Sequence, residues 1–362
     1  RLYFFIKVDS IISIIIAKFA LQILKPFVMR LFLYIILTLL PLHVMAKSTL
    51  ATANADNEQQ LLKLLDSYID KRNTYSEIKE EKIKRLKLKL RTADNNSSRL
   101  SLLNTIYHEY YTYSYDSAMV YANRGLALAQ SVNNAYYTTL NRINRAAVLS
   151  TGGFYSQAET LLNEIGENNV PHQLKQYYYY TTTWLYSYWE AFCDKSEFKD
   201  YYRQKKLQFL RLTVNTTHSN YVGLYAYLSG ELAYLENPLG KNVLRHYTIA
   251  INNSPVNSRV HASAAYCIAR YYREMGNMQL YEKYIIEAAI SDMVCPLKEN
   301  LALQELSTYL YKKDTKYADR AARYIYCSME DAKFYNNRLR MLEISSILPI
   351  IATANQEALA HK

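Results

Sequence analysis

At 362 residues the chain is long for one hydrophobic core, and with only 8 Gly, 7 Pro and no sustained period-2 alternation it reads as almost wholly helical. Of its formal charge of +11, Arg1, Lys7, Lys18, Lys25 and Arg30 against Asp9 account for four, and the remaining +7 is mixed with acids throughout, a solvated surface rather than a nucleic-acid footprint. The cysteines, Cys193, Cys267, Cys295 and Cys327, form neither a CxxC pair nor a zinc-like spacing with His; they read as buried small hydrophobes, or as one pairing such as Cys267 with Cys295 in an oxidising compartment.

Residues 1–46 are the most apolar part. The run Ile11 to Leu24 is interrupted by Lys18 and is too short for a membrane helix. Met29-Arg30 followed by LFLYIILTLLPLHVMA has the basic start, apolar run and small-residue end of a secretory signal, so residues 29–46 are expected to be cleaved after Ala46. Met29 then reads as the true start and 1–28 as upstream read-through; the other arrangement is a membrane-inserted helical hairpin over 1–46. Residues 47–57 are small and polar, a tether. Residues 58–92 hold neither Gly nor Pro, and Leu61, Leu65, Tyr68, Arg72, Tyr75, Lys79, Leu86 and Leu90 follow a broken 4-3 spacing, which predicts one long N-terminal helix packed on the next unit. ADNNSS at 93–98 ends it and offers an N-cap.

From Arg99 to about residue 352 the chain reads as stacked helical hairpins. The clearest is Leu140 to Ile165, where Gly152-Gly153 separates a stripe of Ile143, Ala146, Ala147 and Leu149 from one of Ala158, Leu161, Leu162 and Ile165. It returns at Ala265 to Ala288 around Gly276-Asn277. Aligning second helices on Ala118, Ala158, Tyr201, Val243, Tyr281 and Ala321 gives a period of about 40 residues, and hairpins that cannot bury their stripes alone make an all-α solenoid.

With Gly153, Ala158 and Leu162 in one unit and Ala269, Tyr272, Gly276, Tyr281, Ile285 and Ala288 in another, the hairpins resemble tetratricopeptide repeats, which implies a right-handed superhelix. LLDSYIDKRNTYSEIKEEKIKRLKLKLR at 64–91, YHEYYTYSYDSAMVYANRGLALA at 107–129 and AARYIYCSMEDAKFYNNRLRMLEISSILPII at 321–351 resemble a family of Bacteroidota membrane-tethered transcriptional regulators. Members combine a signal peptide, a periplasmic tetratricopeptide-like sensor, one membrane helix, a coiled coil and a DNA-binding helix-turn-helix. The resemblance implies an exported sensor domain at the periplasmic face of the inner membrane. Residues 353–362 would be its juxtamembrane end, with membrane association supplied by a segment missing after Lys362 and no direct nucleic-acid binding by this chain.

No catalytic pattern emerges. His108-Glu109 begins like a zinc-protease helix, but Thr112 stands where the second His belongs; no phosphate loop, GxSxG, cofactor or metal motif is present. In a tetratricopeptide stack the first helix of each hairpin lines the concave face. Counting back from Tyr201, Asn242 (one residue of slack from Val243) and Tyr281 places Tyr186, Tyr227 and Tyr266 there, with Glu190, Glu231 and Arg270 one turn on. Tyrosines backed by charge suit an extended peptide or a sugar ring; packing between hairpins is the other reading of the same rings. The expectation is therefore a non-catalytic sensor or protein-interaction domain of a transcriptional regulator, able to pair as a homodimer. The alternatives are an exported adaptor or a glycan-binding repeat protein.

Overall fold

The computed structural model describes residues 58–298 and 301–360. The read-through, signal-peptide and tether expectations for residues 1–57 lie outside these. Every regular element among the described residues is helical. The helices are α1 (Glu58–Asp70), α2 (Arg72–Arg91), α3 (Asn96–Tyr111), α4 (Tyr115–Ser131), α5 (Ala135–Thr151), α6 (Tyr155–Ile165), α7 (Lys175–Phe192) and α8 (Lys199–Thr216). They continue with α9 (Val222–Glu236), α10 (Lys241–Asn252), α11 (Arg259–Glu274), α12 (Met278–Val294), α13 (Ala302–Lys313), α14 (Ala318–Tyr335) and α15 (Arg338–Ala360). None is long and apolar enough to cross a membrane.

The chain is an all-α helical solenoid. From α3 to α14 the helices pair in hairpins, and each hairpin covers the next through contacts such as α5 with α7, α10 with α11 and α12 with α13. Side chains set the ends: Asn95, Asn134, Ser258 and Asn277 each accept from a backbone N–H three residues on, satisfying a donor that a helix start leaves unpaired. Gly153 turns the α5–α6 hairpin at φ +85°, a region open to glycine at little cost. Small residues let neighbours approach: Ala118, Ala158 and Ala321 are fully buried, and at Gly230 any Cβ would meet the Tyr247 ring at 2.6 Å.

Tyrosine supplies both bulk and hydrogen bonds to this core. Tyr177 donates to Oδ1 of Asn144 at 2.9 Å, Asn144 donates to Asn104 at 3.1 Å, and the Tyr107 hydroxyl reaches the Asn144 carbonyl at 3.1 Å. This ladder links α3, α5 and α7. A buried hydroxyl left alone there would cost about 1–3 kcal/mol, so the partners specify the register of the stack.

The single helix expected over 58–92 is divided. At Lys71 the backbone leaves the helical region (φ −94°, ψ 2°), where the main partner changes: α1 lies on α12, whereas α2 touches α12 only in part and lies mainly on α3. Asp66 of α1 accepts from Arg320 and Tyr324 of α14, and Arg72 pairs with Glu330. The first helices of the described unit thus meet its last ones. Tyr335 of α14 also ties in the ends of α3 and α5, donating to the Tyr111 carbonyl at 2.8 Å with its hydroxyl 2.7 Å from that of Thr151.

Candidate functional site

Helical periodicity places one stripe each of α7, α9 and α11 on a common cavity of about 420 Å³. From α7 it is lined by Tyr180, Trp184, Ser187, Tyr188 and Ala191, a run at helical spacing; α9 adds Tyr227 and Glu231 one turn apart. From α11 come Arg259, Ala262, Ser263, Tyr266, Cys267 and Arg270. Lys199 and Lys206 of α8, Asp292 of α12 and Ala302 of α13 border it, and Arg340 and Glu343 of α15 complete the wall.

Five of the six residues singled out from the sequence, Glu190, Tyr227, Glu231, Tyr266 and Arg270, line this cavity. Tyr186 does not. Its ring is buried against Tyr202 and Phe209, and its hydroxyl donates to Glu159 of α6 at 2.8 Å. The cause is a one-residue error in register: Tyr201, used as the anchor of that unit, is 52% exposed, whereas Tyr202 stacks on Trp189 at 4.3 Å. Counting from Tyr202 places Ser187 and Ala191 on the inner face, where both are found.

The walls are charge-paired. Lys206 lies 3.3 Å from Glu190, Lys199 2.6 Å from Asp194, Arg270 2.8 Å from Glu231 and Arg340 2.6 Å from Glu343. Glu231 is the most enclosed of these acids; its Oε1 also accepts from the Tyr247 hydroxyl and from the Cys267 thiol at 3.2 Å. Burial alone would raise its carboxyl, but Arg270, Lys206 and these donors outweigh burial and hold it down at about 2. Arg270 also lies 3.7 Å from the centre of the Tyr234 ring. Burial and the Glu231 charge push the Cys267 thiol up, which keeps it protonated.

Aromatic faces fill the space between the pairs. Trp184 and Tyr227 stack 6.2 Å apart and 9° from parallel, and Tyr266 donates to Glu305, which also accepts from Arg273 at 2.8 Å. The tyrosine-rich run of α7 divides by face: Tyr177, Tyr178, Tyr179 and Tyr186 are held in the packing, while Tyr180, Trp184 and Tyr188 face the cavity.

Among the described residues no group of His, Cys, Asp and Glu is arranged to hold a metal ion. Glu109 bridges Lys82 at 2.6 Å and Lys79 at 3.4 Å in the α2–α3 contact, whereas the His108 ring lies 6.2 Å from that of Tyr177 on α7. All four cysteines are free, and Cys267 is not joined to Cys295.

Trp184, Ser187 and Ala191 share a face that a correct anchor in α8 would have revealed. Arg340 and Glu343 carry no comparable signal, because their place on the wall follows from α15 returning to hairpins formed more than a hundred residues earlier. No curated protein matches the chain. A family model described as the SusR N-terminal TPR domain matches residues 69–346, from the end of α1 into the start of α15. That span includes all the wall residues of α7, α9 and α11 together with Arg340 and Glu343, and the chain belongs to the SusR N-terminal TPR domain family.

Proposed function

We propose that this regulator-associated repeat domain is the non-catalytic sensor of an exported, membrane-associated transcriptional regulator, and that its ligand occupies the cavity between α7, α9, α11 and α15. The observation that carries the reading is the wall itself. Four acid–base pairs leave little net charge, yet they offer donors and acceptors beside the faces of Trp184, Tyr227 and Tyr266. Such a wall suits a neutral, polyhydroxylated ring better than an ion: hydroxyls meet the paired charges, and the C–H face of the ring lies on the aromatics. A volume of about 420 Å³ suits one or two saccharide units rather than a long extended peptide.

The test is calorimetric titration of the full chain with a series of mono- to tetrasaccharides, beside tripeptides of mixed sequence. Saturable saccharide binding, weakened about tenfold or more by Tyr227→Ala, supports the reading, since stacking and hydroxyl contacts of this kind amount to about 1–3 kcal/mol. Tripeptide binding in place of saccharide binding would favour the protein-interaction alternative.

A further inference from the structure

Helix α15 is both the last helix described and part of the cavity wall. Its start is fixed by Asn337, whose side chain accepts from the Arg340 N–H at 3.1 Å, and Arg338 lies 4.2 Å from the centre of the Phe154 ring at the α5–α6 hairpin. One turn of α15 then faces inward. Arg340 donates to Glu343 at 2.6 Å, and Glu343 also accepts from Gln304 of α13 at 3.3 Å. Leu339, Ile344 and Ile351 bury the face of α15 that packs on the stack, whereas Leu342 and Ile350 are 60% and 49% exposed, so the Arg340–Glu343 turn is the part of this helix that meets the cavity.

The hydrogen bonding of this turn is incomplete. Arg340 Nε is enclosed without a hydrogen-bond partner, as are Gln304 Oε1, Arg270 Nε and Trp184 Nε1. Three of these four atoms belong to residues that line the cavity. The Arg340 guanidinium lies within electrostatic reach of the hydroxyls of Tyr266 on α11 and Tyr188 on α7. A buried cation with an unsatisfied N–H has an arrangement that a second acceptor can improve. Any occupant must therefore share space with Arg340, and any displacement of Arg340 loosens its tie to Glu343 and Gln304.

We propose that Arg340 and Glu343 are the positioning residues through which occupancy of the cavity is read by α15. The proposal rests on the cavity being the ligand site and adds the route of its output. An occupied cavity draws Arg340 from Glu343, and the first turns of α15 become free to reseat against α13 and α14. Occupancy of the cavity then biases one element with two arrangements, which is what coupling requires.

The experiment needs no ligand, because a side chain built into the wall can stand in for one. Ser263→Phe on α11 and Ser187→Phe on α7 fill the space from two directions, and amide hydrogen exchange is read along α15 with α3 as the internal control. Both filled proteins should exchange the amides of residues 342–351 about fivefold faster or more, the lower end of typical coupling between sites, with α3 unchanged. Arg340→Met should raise the same rates alone, and adding Ser263→Phe to it should raise them no further. Unchanged or slower exchange of α15 in either folded, filled variant overturns the proposal, as does a filling effect that persists in full without Arg340. Saccharide titration of the wild-type chain is decided separately, so a cavity that binds but does not move α15 is distinguished from one that binds nothing.

Discussion

Arg270 of α11 donates to Oε1 of Glu231 on α9 at 2.8 Å, joining the first helices of two successive hairpins across the cavity wall. The pair is enclosed, so each charge depends on the other. Glu231→Ala should destabilise the chain by about 3–5 kcal/mol, because Arg270 then stays buried without its counter-ion. The pH dependence has a definite sign. The folded carboxyl lies at about 2 against an ordinary value of 4.5, so its contribution is complete above pH 4.5 and is lost as pH falls toward 2. Urea unfolding between pH 2 and 7 should show this slope in the wild-type chain and a smaller one in Glu231→Gln.

Glu287 on α12 behaves in the opposite sense. Burial, only partly offset by Lys283, lifts its carboxyl to about 7, and the carboxylate lies 3.6 Å from Nε2 of His261. A raised carboxyl favours the folded state at low pH, so stability should fall as pH rises from 4.5 through 7. Glu287→Gln should flatten that decline and gain about 1–3 kcal/mol at pH 8, read from the shift of the urea midpoint.

Asp66 tests the contact between α1 and α14. It accepts from Arg320 Nε and Nη2 at 3.0 and 2.9 Å and from the Tyr324 hydroxyl at 2.8 Å. Tyr324 is fully buried, so Asp66→Ala strands its hydroxyl at a cost of about 1–3 kcal/mol. Faster proteolysis within α1, with α3 to α8 still protected, is the expected signature.

Gly153 should tolerate alanine poorly for a backbone reason alone. Its φ of +85° is unfavourable for an L side chain, whereas the nearest atom to an added Cβ is 3.8 Å away, ordinary contact. Gly153→Ala should therefore lose about 1–2 kcal/mol with an unchanged denaturant slope.

Short-range spacing made the hairpins legible, since stripes such as Ala158, Leu162 and Ile165 need only one helix to be recognised. It also placed Tyr266 and Arg270, counted from the almost fully buried Tyr281, and Tyr227 and Glu231, counted from Asn242 beside the fully buried Val243; the same count from Val243 itself lands on Leu228 and Leu232. It failed at Tyr186, where two adjacent tyrosines made the anchor ambiguous and a slip of one residue rotates a helix by about 100°. The break at Lys71 falls in DSYIDKRNTYS, a run rich in weaker helix formers with neither Gly nor Pro to mark a stop, and the docking of α1 mainly on α12 and α2 mainly on α3 divides it there. Arg340 and Glu343 were hidden for the same reason, since tertiary return places them and no periodicity does.

The most direct measurement compares saccharide titration of the wild-type chain with that of Ser263→Phe, which closes the cavity from α11 without touching Tyr227, Glu231 or Arg270 by substitution. If the cavity is the sensor site, the wild-type chain binds a member of the series saturably, and the filled protein, still helical, loses about tenfold or more of that affinity. Equal affinity in the two proteins would contradict the account, because the ligand would then sit somewhere other than the space that α7, α9, α11 and α15 enclose.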